Sequence, residues 1–160
     1  MPFLIDGYNL LRAVEKIQGG SESITDIQLC RIISAYLQRI DQPGQIVFDG
    51  IGPPEKQAFE NLEKLEVVFS GRSKDADTVI EDKITTNTAP RRLTVISDDR
   101  RLRTAAKRRK AISVKVRQFW QNVLACLNQQ KKTPAEPGEK LEGISQSETE
   151  QWLKTFGLDE

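Results

Sequence analysis

The sequence predicts an α/β protein built around a central, mostly parallel sheet of five strands, with helices on both faces of the sheet. Along residues 1–130, short apolar segments of strand length alternate with segments of helical periodicity. Three of the apolar segments lead directly into an aspartate, at Asp6, Asp49 and Asp98. Because parallel strands share one carboxyl edge, where open α/β sheets bind ligands, we expect these acids to converge there.

The first predicted strand and the first two predicted helices occupy the amino-terminal quarter of the chain. The strand, Phe3 to Asp6, is followed by Gly7, which permits a sharp turn into a short helix that begins near Leu10. A longer helix over residues 27–40 comes next, with Thr25 or Asp26 as its cap. We interpret both helices as scaffold.

The second and third predicted strands, residues 45–48 and 65–70, are separated by an irregular segment with some helical character. After the third strand, a flexible basic loop leads into a helix over residues 75–84. Acidic residues crowd the first turns of this helix, where the helix dipole favours them. Asp77 and Glu81 lie one turn apart, so we expect both carboxylates to point into the same space.

The fourth predicted strand spans residues 91–99 and finishes on two aspartates; a basic helix follows from about Arg100 to Lys110. A short fifth strand, residues 113–116, precedes a final core helix with its apolar face over residues 119–127. We therefore divide the chain into a core domain, a polar linker and a helical tail that docks on its own core or on a partner. Their bounds are residues 1–130, 131–144 and 145–160.

The composition excludes several kinds of site. The chain has no histidine, which excludes the usual serine and cysteine triads, the common zinc motifs and an imidazole base. Its two cysteines, Cys30 and Cys126, lie in apolar helical patterns, which indicates reduced core residues in a reducing compartment. No segment has the length of a membrane span and the start is unlike a signal peptide, so we expect a cytoplasmic protein without membrane contact.

Carboxylates that are brought together repel one another, so an acidic cluster is costly unless a cation neutralises it. Oxygen-only ligands suit Mg²⁺ or Mn²⁺, which also bind substrate phosphate. Asp6, Asp77 and Asp98 come from three separate predicted elements and are the strongest candidates. A lone aspartate after a strand is more often a cap or a turn former, which is the interpretation we favour for Asp49; capping its own helix is the role we expect of Asp75.

Positive charge is concentrated in one stretch although the net charge is only +1. Between Arg100 and Arg117 there are nine Lys or Arg and no acid, a pattern that attracts phosphates but also occurs on simple solvated helix faces. The candidate residues for nucleic-acid binding are Arg72, Lys74, Arg100, Arg101, Arg103, Lys107 and Arg108. Tyr8 is the aromatic residue near the predicted site, and it either stacks on a base or packs under the turn.

Three segments stand out along the chain: Ile-Asp-Gly-Tyr-Asn at residues 5–9, Ala-Asp-Thr-Val-Ile-Glu at 76–81 and Ile-Ser-Asp-Asp at 96–99. Taken together and in this order, they resemble the YacP-like branch of the NYN domains, which are relatives of the PIN-domain nucleases. The segment Glu-Gln-Trp-Leu-Lys at residues 150–154 is similar to the C-terminal end of that branch.

The resemblance implies a PIN-like three-layer α/β/α sandwich and a metal-dependent endoribonuclease that uses Mg²⁺ or Mn²⁺. By motif, Asn9 would orient Asp6 or a metal-bound water. The metal-site candidates are Asp6, Asp77 and Asp98, followed by Asp99 and Glu81, which adjoin the matched positions. Because the acid is doubled at residues 98–99, either of these two aspartates could face the metal.

Our leading hypothesis is an endoribonuclease that hydrolyses single-stranded RNA and needs no nucleotide cofactor. The first alternative is an RNA-binding module with a weak or silent nuclease site. The second is a receiver-like phosphoacceptor domain, but such domains place a lysine, commonly followed by proline, after the fifth strand, where this chain has Arg117 and Gln118. The RNA target and the oligomeric state stay open.

Overall fold

A computed structural model describes residues 2–19 and 24–131 of the chain. The strands are β1 (Phe3–Asp6), β2 (Gly44–Phe48), β3 (Leu65–Phe69), β4 (Thr94–Ile96) and β5 (Ile112–Val114). The helices are α1 (Gly7–Ile17), α2 (Asp26–Ile40), α3 (Gln57–Glu60), α4 (Ala76–Thr86), α5 (Arg100–Arg108) and α6 (Val116–Lys131), and a 3₁₀ turn spans Pro90–Arg92. The linker and the tail that we predict beyond residue 131 lie outside the described residues.

The five strands form one sheet in the order β3-β2-β1-β4-β5, and every neighbouring pair is parallel. Strand β1 is central, with Ile5 opposite Ile46 of β2 on one side and Ile96 of β4 on the other. The chain first proceeds outward from β1 to β3 and then returns to β4, so the strand order reverses beside β1. Asp6 therefore stands at the topological switch point, where parallel α/β sheets bind ligands.

Two apolar layers hold the helices against the sheet. On one face, α1, α2 and α6 bury a cluster that includes Leu10, Leu37 and Trp120. On the other face, α4 and α5 bury a smaller cluster that includes Ile80 and Leu102. The predicted three-layer sandwich with a parallel five-stranded sheet is thus confirmed.

Helix α1 begins at Gly7, three residues earlier than the sequence predicts, because the Asp6 side chain caps it. Gly7 permits the turn and also allows the start of α1 to approach the end of β2 closely. A Cβ atom at this position would lie 2.7 Å from the Phe48 ring and 2.9 Å from the Val47 carbonyl oxygen. The absence of a side chain therefore lets α1 start directly against the end of β2.

Other boundaries differ from the prediction by a few residues. Thr25 is the cap of α2, and its side chain and that of Gln28 form a reciprocal capping box. Strand β4 is shorter than predicted because the 3₁₀ turn takes up residues 90–92. In the part of the chain that the structure describes, no helix is long and apolar enough to span a membrane.

The close approach at Gly7 makes this position sensitive to a single methyl group. Alanine favours a helix over glycine by about 0.5–1 kcal/mol, but the backbone oxygen of Val47 has little room to move away. Overpacking therefore outweighs propensity, and we expect Gly7→Ala to lower the free energy of unfolding by about 1–3 kcal/mol in urea titrations.

Lys16→Ala is the control for this substitution because Lys16 is exposed in the last turn of the same helix. It should change the free energy of unfolding by less than about 0.5 kcal/mol. A Gly7→Ala variant as stable as the wild type would show that the contact with β2 is not tight.

Candidate functional site

Asp6 is the buried centre of the carboxyl edge, with only 2% of its surface exposed. Its Oδ1 accepts a hydrogen bond from the Asn9 backbone N–H at 3.4 Å. Its Oδ2 accepts one from Asn9 Nδ2 and another from Ser97 Oγ at 3.0 Å. Asn9 thus orients Asp6, and the carboxylate ties α1 to the loop that follows β4.

Ser97 is a site residue that the sequence analysis did not select. It is fully buried, and while its hydroxyl donates to Asp6 it accepts a hydrogen bond from the Asp99 backbone N–H at 3.0 Å. This relay fixes the loop between β4 and α5 relative to β1. The signal available in the sequence is a serine directly before an acid pair, but a hydroxyl at this position has no characteristic spacing.

A cavity of about 380 Å³ opens at this edge of the sheet. Its lining is acidic, with Arg12 the cation among the described residues that form it. The lining residues are Asp6, Tyr8, Asn9, Arg12, Asp49, Asp75, Ala76, Asp77 and Asp99. A larger cavity of about 480 Å³ lies at the amino edge and includes one acid, Glu66, so it lacks the cluster of aspartates that lines the smaller one.

Burial, together with repulsion between the acids, raises two pKa values in the cavity. Partial burial raises the pKa of Asp77 to about 6, and the charges of Asp99 and Asp6 add to this effect. Asp77 also shares a hydrogen bond with the Asp99 carboxyl group. Burial raises the pKa of Asp6 as well, against the opposing effect of its hydrogen bonds with Asn9 and Ser97.

Asp98 does not lie in this cavity, contrary to the expectation that it faces Asp6 and Asp77. Its side chain is exposed, and its Oδ1 accepts a hydrogen bond from the Val116 backbone N–H at 3.1 Å. The unsatisfied N–H groups at the start of α6 attract this carboxylate. Asp99 takes the place in the cavity, while its Oδ1 caps α5 through the Arg101 N–H at 2.8 Å.

Glu81 also points elsewhere, although it follows Asp77 by one helical turn. Its carboxylate receives two hydrogen bonds from the Arg101 guanidinium, at 2.9 and 3.1 Å. This pairing lowers the pKa of Glu81 and raises that of Arg101. The structure thus places Glu81 outside the cavity lining and links α4 to α5 through it.

Asp49 and Asp75 line the cavity, and their carboxylates accept hydrogen bonds that hold the start of α4. Asp49 Oδ1 accepts from the Ala76 backbone N–H at 3.0 Å and from Ser70 Oγ at 3.2 Å, which fixes the start of α4 against β2 and β3. Asp75 caps α4 through the Thr78 N–H at 2.8 Å. Hydrogen bonds with the Thr78 side chain and with its backbone N–H lower the pKa of Asp75.

The predicted RNA-binding cations fall into several environments. Arg72, Arg100, Lys107 and Arg108 are exposed. Lys74 pairs with Asp82 at 3.1 Å, and Arg101 is held by Glu81. Arg103 is half-buried, and its Nε has no hydrogen-bond partner among the described residues.

The acidic side chains of the cavity are possible ligands for a metal ion. Within residues 2–19 and 24–131, no three acidic or cysteine side chains form a group that could hold an ion as they stand. Mg²⁺, however, keeps several waters and commonly binds through only one or two carboxylates. The adjacent carboxylates of Asp77 and Asp99, in the same cavity as Asp6, match that requirement in number and chemistry.

The raised pKa of Asp77 predicts a pH-dependent stability in EDTA. The folded state retains a proton on Asp77 up to about pH 6, whereas the unfolded chain releases it near its ordinary value of 3.8. Stability therefore falls as the pH rises through this window, and the loss persists above it. Since asparagine does not ionise, Asp77→Asn should raise Tm more at about pH 7.5 than at about pH 4.

Thermal melts of both proteins at the two pH values measure this difference. An equal change in Tm at both values would mean that Asp77 is not under electrostatic strain.

This chain shares its fold with proteins of known structure. No curated protein sequence matches the chain significantly. The crystal structure of Rae1 (YacP) from Bacillus subtilis superposes with a TM-score of 0.66 at 22% identity, covering 98% of this chain and 92% of that chain. A tryptophan-to-leucine mutant of the same protein gives 0.62 at 19% identity, covering 81% and 79%. At these identities, the likeness demonstrates a shared fold.

The family comparison covers nearly the whole chain. The model of the YacP-like NYN domain matches residues 3–156, which confirms the resemblance seen in the sequence motifs. This match indicates a nuclease-like domain with an RNA-related role. The chain belongs to the YacP-like NYN domain family.

Proposed function

We propose that this protein is a metal-dependent endoribonuclease that hydrolyses single-stranded RNA at the acidic cavity. The observation that carries the proposal is the pair of adjacent carboxylates, Asp77 and Asp99, beside the buried Asp6 at the switch point of the sheet. Such a pair is unfavourable in itself, because two negative charges at short range repel each other. A cation and a phosphate group would relieve that repulsion.

In this proposal, Asp77 and Asp99 would hold Mg²⁺ or Mn²⁺, and Asp6 would add a third negative charge to the cavity. The bound ion supplies a water of lowered pKa and offsets the charge on the phosphate oxygens. Asn9 and Ser97 keep Asp6 in one orientation through their hydrogen bonds. Ser97 also accepts a hydrogen bond from the Asp99 backbone N–H, so the same hydroxyl positions both Asp6 and Asp99.

Helix α5 is the proposed site of RNA backbone binding. It starts at the rim of the cavity, since Asp99 is its cap, and it presents Arg100 and Lys107 to solvent. These two residues are seven positions apart and therefore lie on the same helix face. Arg109 is instead anchored to the Asn87 carbonyl oxygen at 2.7 Å, which joins the end of α5 to the end of α4.

The remaining cations contribute according to their positions. Arg101 is a positioned cation close to Asp75 and Asp77, and Glu81 holds it there. Arg72 and Lys74 lie in the loop before α4, while Arg103 and Arg108 lie on either side of the α5 face that carries Arg100 and Lys107.

We also propose a cytoplasmic location, because Cys30 and Cys126 are both free, as in a reducing compartment.

The choice of Asp99 over Asp98 can be tested by cleavage of a labelled single-stranded RNA in Mn²⁺. We expect Asp77→Asn and Asp99→Asn each to lose more than ~100-fold in kcat/KM, since even outer-shell partners of metal ligands are worth ~10–100-fold. Asp98→Asn is the matched control, because asparagine also caps helices and α6 keeps its cap. Its activity should stay within a few-fold of the wild type.

If Asp98→Asn loses activity while Asp99→Asn retains it, the assignment of the two acids is reversed. If no RNA is cleaved in Mg²⁺ or Mn²⁺ by the folded wild-type protein, the proposed activity is wrong.

The role of α5 predicts a change in salt dependence. In an Asp77→Asn background, the double variant Arg100→Gln, Lys107→Gln should bind RNA more weakly. The slope of log affinity against log salt concentration should also become shallower by about 1.4, since each phosphate contact on a single strand contributes about 0.7. Fluorescence anisotropy over a series of salt concentrations measures both effects.

Arg31→Gln, Arg39→Gln is the control for this experiment, since both residues are exposed on α2, on the other face of the sheet. It should leave the slope unchanged. Equal slopes for the two double variants would mean that α5 does not contact the RNA backbone.

A second candidate function is an RNA-binding module with a silent nuclease site. The absence of a ready-made group of three metal ligands in the described ranges favours it. The two candidates differ in their response to EDTA. RNA binding that persists in EDTA, with no cleavage in any divalent ion, would establish the binding module.

A further inference from the structure

We propose that Tyr8 and Arg12 form a stacking platform for one base of the RNA at the entrance of the acidic cavity. This inference rests on the proposed function and adds to it the residues that position the substrate. Tyr8 and Arg12 are four residues apart on α1, so their side chains are neighbours on one helix face. Both residues line the cavity together with Asp6 and Asn9.

The two side chains are stacked on each other. The guanidinium carbon of Arg12 lies 4.4 Å from the centroid of the Tyr8 ring, a cation–π arrangement. Although Arg12 covers one face of the ring, Tyr8 is still 48% exposed. About half of the surface of Tyr8 is therefore open to a ligand, and the contact with the guanidinium holds the ring.

Arg12 remains on the ring although the cavity beside it is acidic. Five acids line that cavity, namely Asp6, Asp49, Asp75, Asp77 and Asp99. The ion pairs found in the described ranges involve other residues, so Arg12 is not bound to any of these carboxylates. Its N–H donors are thus available to an anion that approaches the cavity, while the ring holds the guanidinium plane.

A nucleotide fits these two features together. A base stacks on the open face of Tyr8, as bases do on aromatic side chains in single-strand binding proteins. The guanidinium of Arg12 then donates to a phosphate of the same strand, for which its planar fork is suited. The phosphate between this nucleotide and the next is directed towards Asp77 and Asp99. Since a paired base has no free face, the platform selects an unpaired nucleotide.

The experiment compares two RNA probes that differ only in their bases. A short oligouridine and an abasic oligomer of equal length have the same charge, and each is titrated into the Asp77→Asn protein in Mg²⁺ with fluorescence anisotropy as the readout. With Tyr8 present, the oligouridine should bind ~5- to 150-fold more tightly than the abasic probe. Tyr8→Leu should abolish this preference, and Tyr8→Phe, which keeps the ring, should retain it.

Arg12→Gln separates the charge from the ring. It should weaken both probes by a similar factor and make the salt dependence shallower by ~0.7, the contribution of one phosphate contact. A 2-aminopurine placed within the oligouridine gives an independent signal. Its fluorescence should be quenched on binding to proteins that carry Tyr8 or Phe at this position and should stay bright with Tyr8→Leu.

The outcomes separate this inference from the proposed function. If the wild-type protein cleaves RNA but Tyr8→Leu keeps the full base preference and the quenching, the platform is wrong and the nuclease stands. If the folded Asp77→Asn protein binds neither probe and the wild type cleaves no RNA, the proposed function fails and the platform with it. Melting curves confirm that each variant is folded, as expected for an exposed side chain.

Discussion

The buried carboxylate of Asp6 is the interaction on which the rest of the site depends. A charge taken out of water is costly unless it is hydrogen-bonded. Asn9 and Ser97 provide those hydrogen bonds, and each of them belongs to a different segment. The same bonds therefore begin α1, join β1 to the loop after β4 and hold the backbone of Asp99. Stability and site geometry have a common origin here, so a change at Asp6 affects both.

The other acids are held close to Asp6 at an electrostatic cost. Burial is the main cause of the raised pKa of Asp77, and the charges of Asp99 and Asp6 raise it further. Hydrogen bonds to the first N–H groups of helices hold these side chains in place. Asp99 caps α5, and Asp49 accepts a hydrogen bond from the first N–H of α4. Helix capping thus gathers acidic residues at one edge and makes their repulsion tolerable. A divalent cation and a phosphate group would convert this unfavourable arrangement into a binding site.

The sequence was sufficient for the fold and for part of the site. Alternating strands and helices predict the parallel sheet, and the strand ends predict that Asp6 lies at its carboxyl edge. The direction of side chains in the loop after β4 follows neither a period of two nor one of 3.6, so Asp98 and Asp99 could not be distinguished. Glu81 has the helical spacing from Asp77 that would place both carboxylates in the cavity, but it pairs with Arg101 of α5. This pairing depends on how the two helices pack, so the spacing alone does not predict it. Ser97 acts through Asp6, a neighbour that only the fold brings near.

The most direct test of this account is the position of a divalent cation in a crystal of the wild-type protein soaked in Mn²⁺. The account predicts an anomalous difference peak inside the cavity, with Asp77 and Asp99 as its nearest side chains and Asp98 still bonded to the start of α6. A peak beside Asp98 or at Glu81, or an empty cavity with Mn²⁺ bound at other sites, would contradict it.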